Sequence, residues 1–231
     1  MLFVHGSATD HATWSLQLAT LPTRLAMTAY DRRSTGTVAG EAADLATLVE
    51  PGVVLCGSSF GAVVALEVAR ARPADVRGLV LIEPPMGPAD DRPVASSEFL
   101  ADYDRLVDER GGEAAAEMFL RTVLGDAAFE RMPLGFRARA QTKWREIRAD
   151  SAALLAYRPR YDELARLDVP CLLVGGDRSA SSFGATLAAL AATLPRARRE
   201  IVVGAGHMLH AERFRAFDEL LVAFAERPEG V

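Results

Sequence analysis

Val53-Val54-Leu55-Cys56-Gly57-Ser58-Ser59-Phe60-Gly61-Ala62-Val63-Val64-Ala65-Leu66 joins a short apolar run to an apolar helical pattern through a glycine-flanked turn. Val53–Cys56 is β-branched and aliphatic, which suits a buried strand, and Phe60–Ala71 has the length and content of a helix. Between them lies G-x-S-x-G, with Gly57 and Gly61 placed symmetrically about Ser59. A sharp strand-to-helix turn of this kind lifts the serine Oγ clear of the sheet, and side chains at the flanking positions would clash. Ser59 is therefore the candidate nucleophile. Ser58 is not, because no such glycine pair flanks it. The small Ala62 and Ala65 let the helix pack closely on the sheet.

The same alternation extends outward in both directions. Candidate strands are Leu2–His5, Ala26–Tyr30, Val53–Cys56, Gly78–Ile82, Cys171–Val174 and Glu200–Val203. Helical patterns fall between them at His11–Leu21, Gly40–Val49, Phe60–Ala71, Ser182–Leu194 and Ala211–Glu226. Strands separated by single helices imply right-handed crossovers and a sheet covered on both faces. The expected fold class is α/β: a mostly parallel sheet of about six strands with helices on both faces. The middle third breaks this rhythm. Residues 86-167 hold no convincing strand, and Phe99, Tyr103 and Leu106 mark one helical face. Gly111-Gly112 should break that helix, with Glu113–Leu124 beginning the next. The expectation is a single domain over 1-231, with 86-167 as an all-helical cap insertion.

His5-Gly6-Ser7-Ala8 ends the first strand ahead of a helix carrying Trp14. Together with G-x-S-x-G, this HG turn resembles the α/β-hydrolase superfamily, where such a turn supplies part of an oxyanion hole. The resemblance implies that the donors are the backbone N–H groups of Ser7 and Phe60, and that His5 holds the turn. Tyr30-Asp31-Arg32-Arg33-Ser34-Thr35-Gly36 is similar to the superfamily's D-x-R-G-x-G loop, with Ser34 where glycine is usual. Superfamily members usually carry two strands before the HG strand. Here Met1 lies four residues ahead of His5, so either the sheet is minimal or its start has been trimmed.

Val174-Gly175-Gly176-Asp177 and Val203-Gly204-Ala205-Gly206-His207 both end candidate strands. Polar groups at the carboxyl ends of parallel strands sit where open α/β sheets bind ligands. The thirty residues from Asp177 to His207 suffice for one crossover helix and a strand, making the two loops neighbours. The chain order Ser59, Asp177, His207 is the order that the superfamily uses. Glu83, after the strand ending at Ile82, competes with Asp177 for the acid, because the glycine turn before Asp177 is one residue short. His210 competes with His207, but the glycines before His207 suit a loop that carries an imidazole to a serine.

Composition narrows the function class. The 231-residue chain is 50% hydrophobic and 25% charged, as expected of a globular domain, and its net charge of -5 disfavours nucleic acid and anionic membrane as partners. Cys56 and Cys171 lie in apolar runs and are expected to be buried free thiols. No spacing suggests a metal site, no cofactor is expected, and no retained signal peptide or bilayer-spanning run is visible. The expectation is a cytoplasmic serine hydrolase acting on a small to medium, partly apolar ester, lactone or thioester. Ser59, His207 and Asp177 would form its triad, with C–C bond hydrolysis, lyase chemistry and ligand binding as alternatives.

Overall fold

The computed structural model describes residues 1–92 and 95–228. Six strands form one sheet: β1 Leu2–Val4, β2 Thr28–Tyr30, β3 Val53–Ser58, β4 Val76–Ile82, β5 Cys171–Gly176 and β6 Ala197–Val202. Every neighbouring pair is parallel, in the order β2-β1-β3-β4-β5-β6. The order reverses between β1 and β3, so the crossovers leave helices on both faces. Before the cap these are α1 Ser15–Thr20, α2 Val38–Ala46 and α3 Phe60–Ala71. Helices α4 Ser97–Arg110, α5 Gly112–Leu124, α6 Asp126–Arg131, α7 Leu134–Thr142, α8 Trp144–Ala156 and α9 Tyr161–Leu164 all lie between β4 and β5. After β5 come α10 Ser181–Thr193, α11 Leu209–Glu212 and α12 Phe214–Glu226. Among the described residues no helix is long and apolar enough to cross a membrane.

Strand periodicity divides the core. Leu2, Val4, Leu55, Leu79, Leu81 and Leu173 face α2, α3 and α10. Their neighbours Phe3, Val54, Cys56, Val80, Ile82 and Leu172 face Trp14 and the Phe217, Leu221 and Phe224 stripe of α12. Because both faces are covered, the strands read as unbroken apolar runs. Cys56 and Cys171 are buried free thiols. A third cluster belongs to the cap, where Tyr103, Ala115, Ala116, Leu120, Phe129 and Ile147 pack together. Ala8, from the loop after β1, joins that cluster, so the cap core and this loop share one packed interior.

Element edges moved where local chemistry outweighs apolar pattern. The first expected helix opens as a 3-10 turn at His11–Trp14, capped by Asp10, and becomes α-helical only over Ser15–Thr20. The last pattern divides at Arg213 into α11 and α12. Strand β6 starts earlier than its apolar residues suggest, at Ala197, because its outer edge is solvated and accepts charged side chains. Gly111 separates α4 from α5 at φ +87°, as the Gly-Gly pair implied.

Two buried histidines make stability depend on pH. His210 packs between Trp14 and Phe217, and burial, followed by the nearby His207, pushes its pKa down to about 3. Burial and then the Arg32 charge bring His5 down to about 4. In the unfolded chain both take protons near the ordinary value of about 6.5. Below that pH the unfolded state binds more protons than the native state, so stability falls as the solution is acidified from about 6.5 towards 4. Replacing His210 by Asn should make this fall shallower by about 1.4 kcal/mol per pH unit, measured by urea unfolding at several pH values. Identical slopes in the two proteins would contradict this account.

Candidate active site

Each strand delivers a polar residue at its C-terminal end: Ser7 after β1, Arg32 after β2, Ser59 after β3, Glu83 after β4, Asp177 after β5 and His207 after β6. Ser59 turns the chain from β3 into α3 with φ +53° and ψ -124°. That backbone is unfavourable for a residue with a Cβ, by about 1–3 kcal/mol. It is held from both sides, by Ser59 N–H donating to the Ile82 carbonyl at 2.8 Å and by the Ser59 carbonyl accepting from Ala62 N–H at 2.9 Å. Gly61 sits directly on the Val4 and His5 carbonyls, leaving no room for a side chain and drawing α3 against β1. Ser58 and Ser59 both border a cavity that His207 also lines, and Ser59 is the more exposed of the two.

The loop after β1 passes beside the serine, and a Cβ on Gly6 would lie 3.0 Å from Ser59 Cβ. Neither Ser7 N–H nor Phe60 N–H finds a protein acceptor among the described residues. Two free donors thus flank Ser59. A buried ionic network fixes the loop. Arg32 donates to both oxygens of Asp150 in α8, at 3.2 and 2.7 Å, and to Glu41 at 3.2 Å. Burial opposes the Arg32 charge, but the two carboxylates outweigh it and hold its pKa above the ordinary value. Ser7 Oγ donates to the same Asp150 at 2.7 Å. His5 Nε2 accepts from Arg32 N–H, which leaves its proton on Nδ1, facing the Gly6 carbonyl at 2.8 Å. That neutral tautomer agrees with its lowered pKa and gives His5 a turn-holding role.

The carboxylate on the histidine differs from the sequence expectation. His207 Nδ1 lies 2.6 Å from Glu83 Oε2, and both side chains are buried. Asp177 is exposed, and its Oδ1 accepts from Gly204 N–H at 2.7 Å and Ala205 N–H at 3.2 Å. Asp177 braces the loop that carries His207 and makes no bond to the imidazole. The reason is register. Ile82 is level with Val174, so Glu83 leaves β4 beside the last residues of β5, while Asp177 lies three residues further out. The longer glutamate spans the intervening strand, its Oε1 accepting from Gly176 N–H at 2.8 Å. Gly176 makes this close packing possible, because a Cβ there would run into the Ala205 carbonyl. The glycine pair before Asp177 thus leaves room for Glu83 and the His207 loop.

His210 is separate from this pair. Its Nε2 meets Thr13 Oγ1 at 3.0 Å, and the ring lies tilted against Trp14, with centroids 4.7 Å apart. The His207 ring instead stacks on Phe183, with centroids 4.4 Å apart, which fixes its plane. Of the five non-glycine residues with positive φ among those described, Ala8, Ser59 and Glu83 surround this centre. Such strain persists only where surrounding contacts over-determine it, and it gathers at functional sites.

The alpha/beta hydrolase family matches residues 1–220. The chain belongs to that family. Among solved structures, an esterase from Thermogutta terrifontis is 23% identical, with a TM-score of 0.82 over 98% of this chain and 89% of the other. MenH from S. aureus is 17% identical at a TM-score of 0.81, over 99% and 93%. An enol-lactonase from Burkholderia xenovorans is 20% identical at 0.79, over 96% and 89%. At these identities the likeness is one of fold. No curated protein matches.

Removing one partner from the buried network should be costly, because it leaves a charge uncompensated in the interior. Asp150→Asn leaves Arg32 partly unpaired in the interior and should destabilise the fold by about 3 kcal/mol. Asp104→Asn, which breaks the more exposed pair with Arg148, should cost about 1 kcal/mol or less. Urea unfolding of both variants checks the contrast.

Proposed function

We propose that this chain is a serine hydrolase that cleaves carboxylic esters through an acyl-serine intermediate, with Ser59, His207 and Glu83 as its triad. The observation that carries it is the 2.6 Å contact of His207 Nδ1 with the buried Glu83, on a cavity shared with the strained Ser59 turn. His207 Nε2 takes the Ser59 proton as Oγ attacks the ester carbonyl. Glu83 holds the imidazole tautomer and stabilises the imidazolium as it forms. The free N–H groups of Ser7 and Phe60 receive the oxyanion, a contribution worth a few kcal/mol per donor in comparable sites. His207 then protonates the departing alcohol, and water releases the acyl group by the same steps. Ser59 and His207 make no direct hydrogen bond among the described residues, and bonds of this kind often tighten only with substrate.

The substrate is a small molecule enclosed between the sheet and the cap. Apolar walls from Phe119, Leu120, Val123, Leu124 and Met132 favour an uncharged, partly apolar ester. The similar structures include an esterase and an enol-lactonase, which agrees with acyl chemistry on an oxygen leaving group.

A fluorophosphonate probe should label Ser59 in the wild type and leave Ser59→Ala unlabelled, while Ser58→Ala keeps most of its ester hydrolysis. Glu83→Gln should lower kcat by about 10³–10⁴-fold, as in other triads whose acid is made neutral. Asp177→Asn should cost about 10-fold or less, through a looser His207 loop. A crippled Asp177→Asn beside a nearly active Glu83→Gln would transfer the acid role to Asp177.

A further inference from the structure

A cavity walled by Ser59 and His207 shares lining residues with two others, and the three are unequal. The central one, about 40 Å³, holds Ser59, His207 and Met208 in its wall. A large lobe of about 440 Å³ adjoins it, sharing Thr13, Leu124, Met132 and Met208 and reaching Leu16, Ala128 and Phe136. A small lobe of about 120 Å³ adjoins it on another side, sharing Ser7, Ser59, Phe119 and Val123. Pro85, Phe99, Leu154 and Phe183 close the small lobe. The larger lobe has more than three times the volume of the smaller. Both are lined mainly by apolar side chains.

We propose that the large lobe takes the alcohol part of the ester and the small lobe the acyl part, so that the substrates are short-chain acyl esters of bulky, apolar alcohols. This rests on Ser59 and His207 acting as described above. The tetrahedral carbon carries four groups whose directions the site dictates. One is Ser59 Oγ, and a second is the oxyanion, drawn to Ser7 and Phe60 N–H. The leaving oxygen must sit against His207, because the imidazolium gives that oxygen its proton as the C–O bond breaks. Beyond the leaving oxygen, the alcohol continues along the wall that His207 shares with Met208, and Met208 also lines the large lobe. The acyl chain takes the remaining direction, past Ser7 and Ser59. There Phe183 covers one face of the His207 ring and Leu154 helps to close the space. Deacylation balances in the same geometry: water enters where the alcohol left, gives its proton to His207, and the acid departs from the small lobe.

The experiment compares two ester series whose leaving groups are all primary aliphatic alcohols of nearly equal basicity. Acetates of ethanol, hexanol and decanol vary the alcohol, and ethyl esters of acetic, hexanoic and decanoic acids vary the acyl chain. kcat/KM should rise about 10-fold or more from ethyl to hexyl acetate, and fall by a similar factor from ethyl acetate to ethyl decanoate. Ala128→Phe, which fills the large lobe, should lower the ratio of hexyl acetate to ethyl acetate kcat/KM about 10-fold. Leu154→Ala should raise the ratio of ethyl hexanoate to ethyl acetate turnover. The reverse order, with ethyl decanoate preferred and Ala128→Phe acting on it, would overturn the assignment while leaving the hydrolase intact. Absence of turnover on every ester together with no fluorophosphonate labelling of Ser59 would remove the hydrolase reading itself, and the assignment with it.

Discussion

Close packing of α3 on β1 is the constraint on which the site depends. Gly61 lies against the Val4 and His5 carbonyls, and that approach forces the chain between β3 and α3 into the strained turn at Ser59. The strain is sustained by the interior around it, where Phe3, Val4, Leu55, Cys56, Phe60 and Ala62 are all fully buried. One contact therefore does three things. It sets Ser59 on the cavity wall, leaves Phe60 N–H without a protein acceptor at the start of α3, and brings the loop after β1 alongside with Ser7.

The cap is tied to that loop. Asp150 of α8 receives Ser7 Oγ and is held by Arg32, while Asp10 in the same loop meets Arg139 of α7 at 2.7 Å. Ala8 is buried in the cap's apolar cluster. Cap and the loop after β1 are thus one mechanical unit, and a movement of α7 or α8 would be felt at Ser7. Buried ion pairs contribute little net stability, because desolvation offsets the attraction, so their value here lies in fixing orientation. Ser34 illustrates the same ordering of priorities. It adopts φ +52°, a left-handed conformation that carries a steric penalty for a residue with a Cβ, in the loop that holds Arg32.

Much of this architecture was legible in one dimension. Six apolar runs separated by helical patterns implied a parallel sheet, and the strand-free span between Ile82 and Cys171 implied a helical layer. G-x-S-x-G singled out Ser59 because a glycine leaves a physical signature: it is required where backbones touch. His207 was legible for a similar reason, through the glycines before it. The carboxylate that meets His207 was harder to read. Asp177 and Glu83 both follow strands, and the two glycines before Asp177 carried a signal that belonged to another residue's path.

What the sequence by itself determined is whatever depends on local periodicity and local sterics: the strands, their burial on both faces, the elbow and the histidine loop. Tertiary structure alone decided which carboxylate meets His207, because that depends on the relative register of β4 and β5 and on side-chain reach across a strand. It also decided the unequal lobes beside Ser59, since their walls come from the loop after β1, α5, α6, α8 and α10 together. Periodicity places a residue on a face of its own element. The distance between faces of different elements is a property only of their packing.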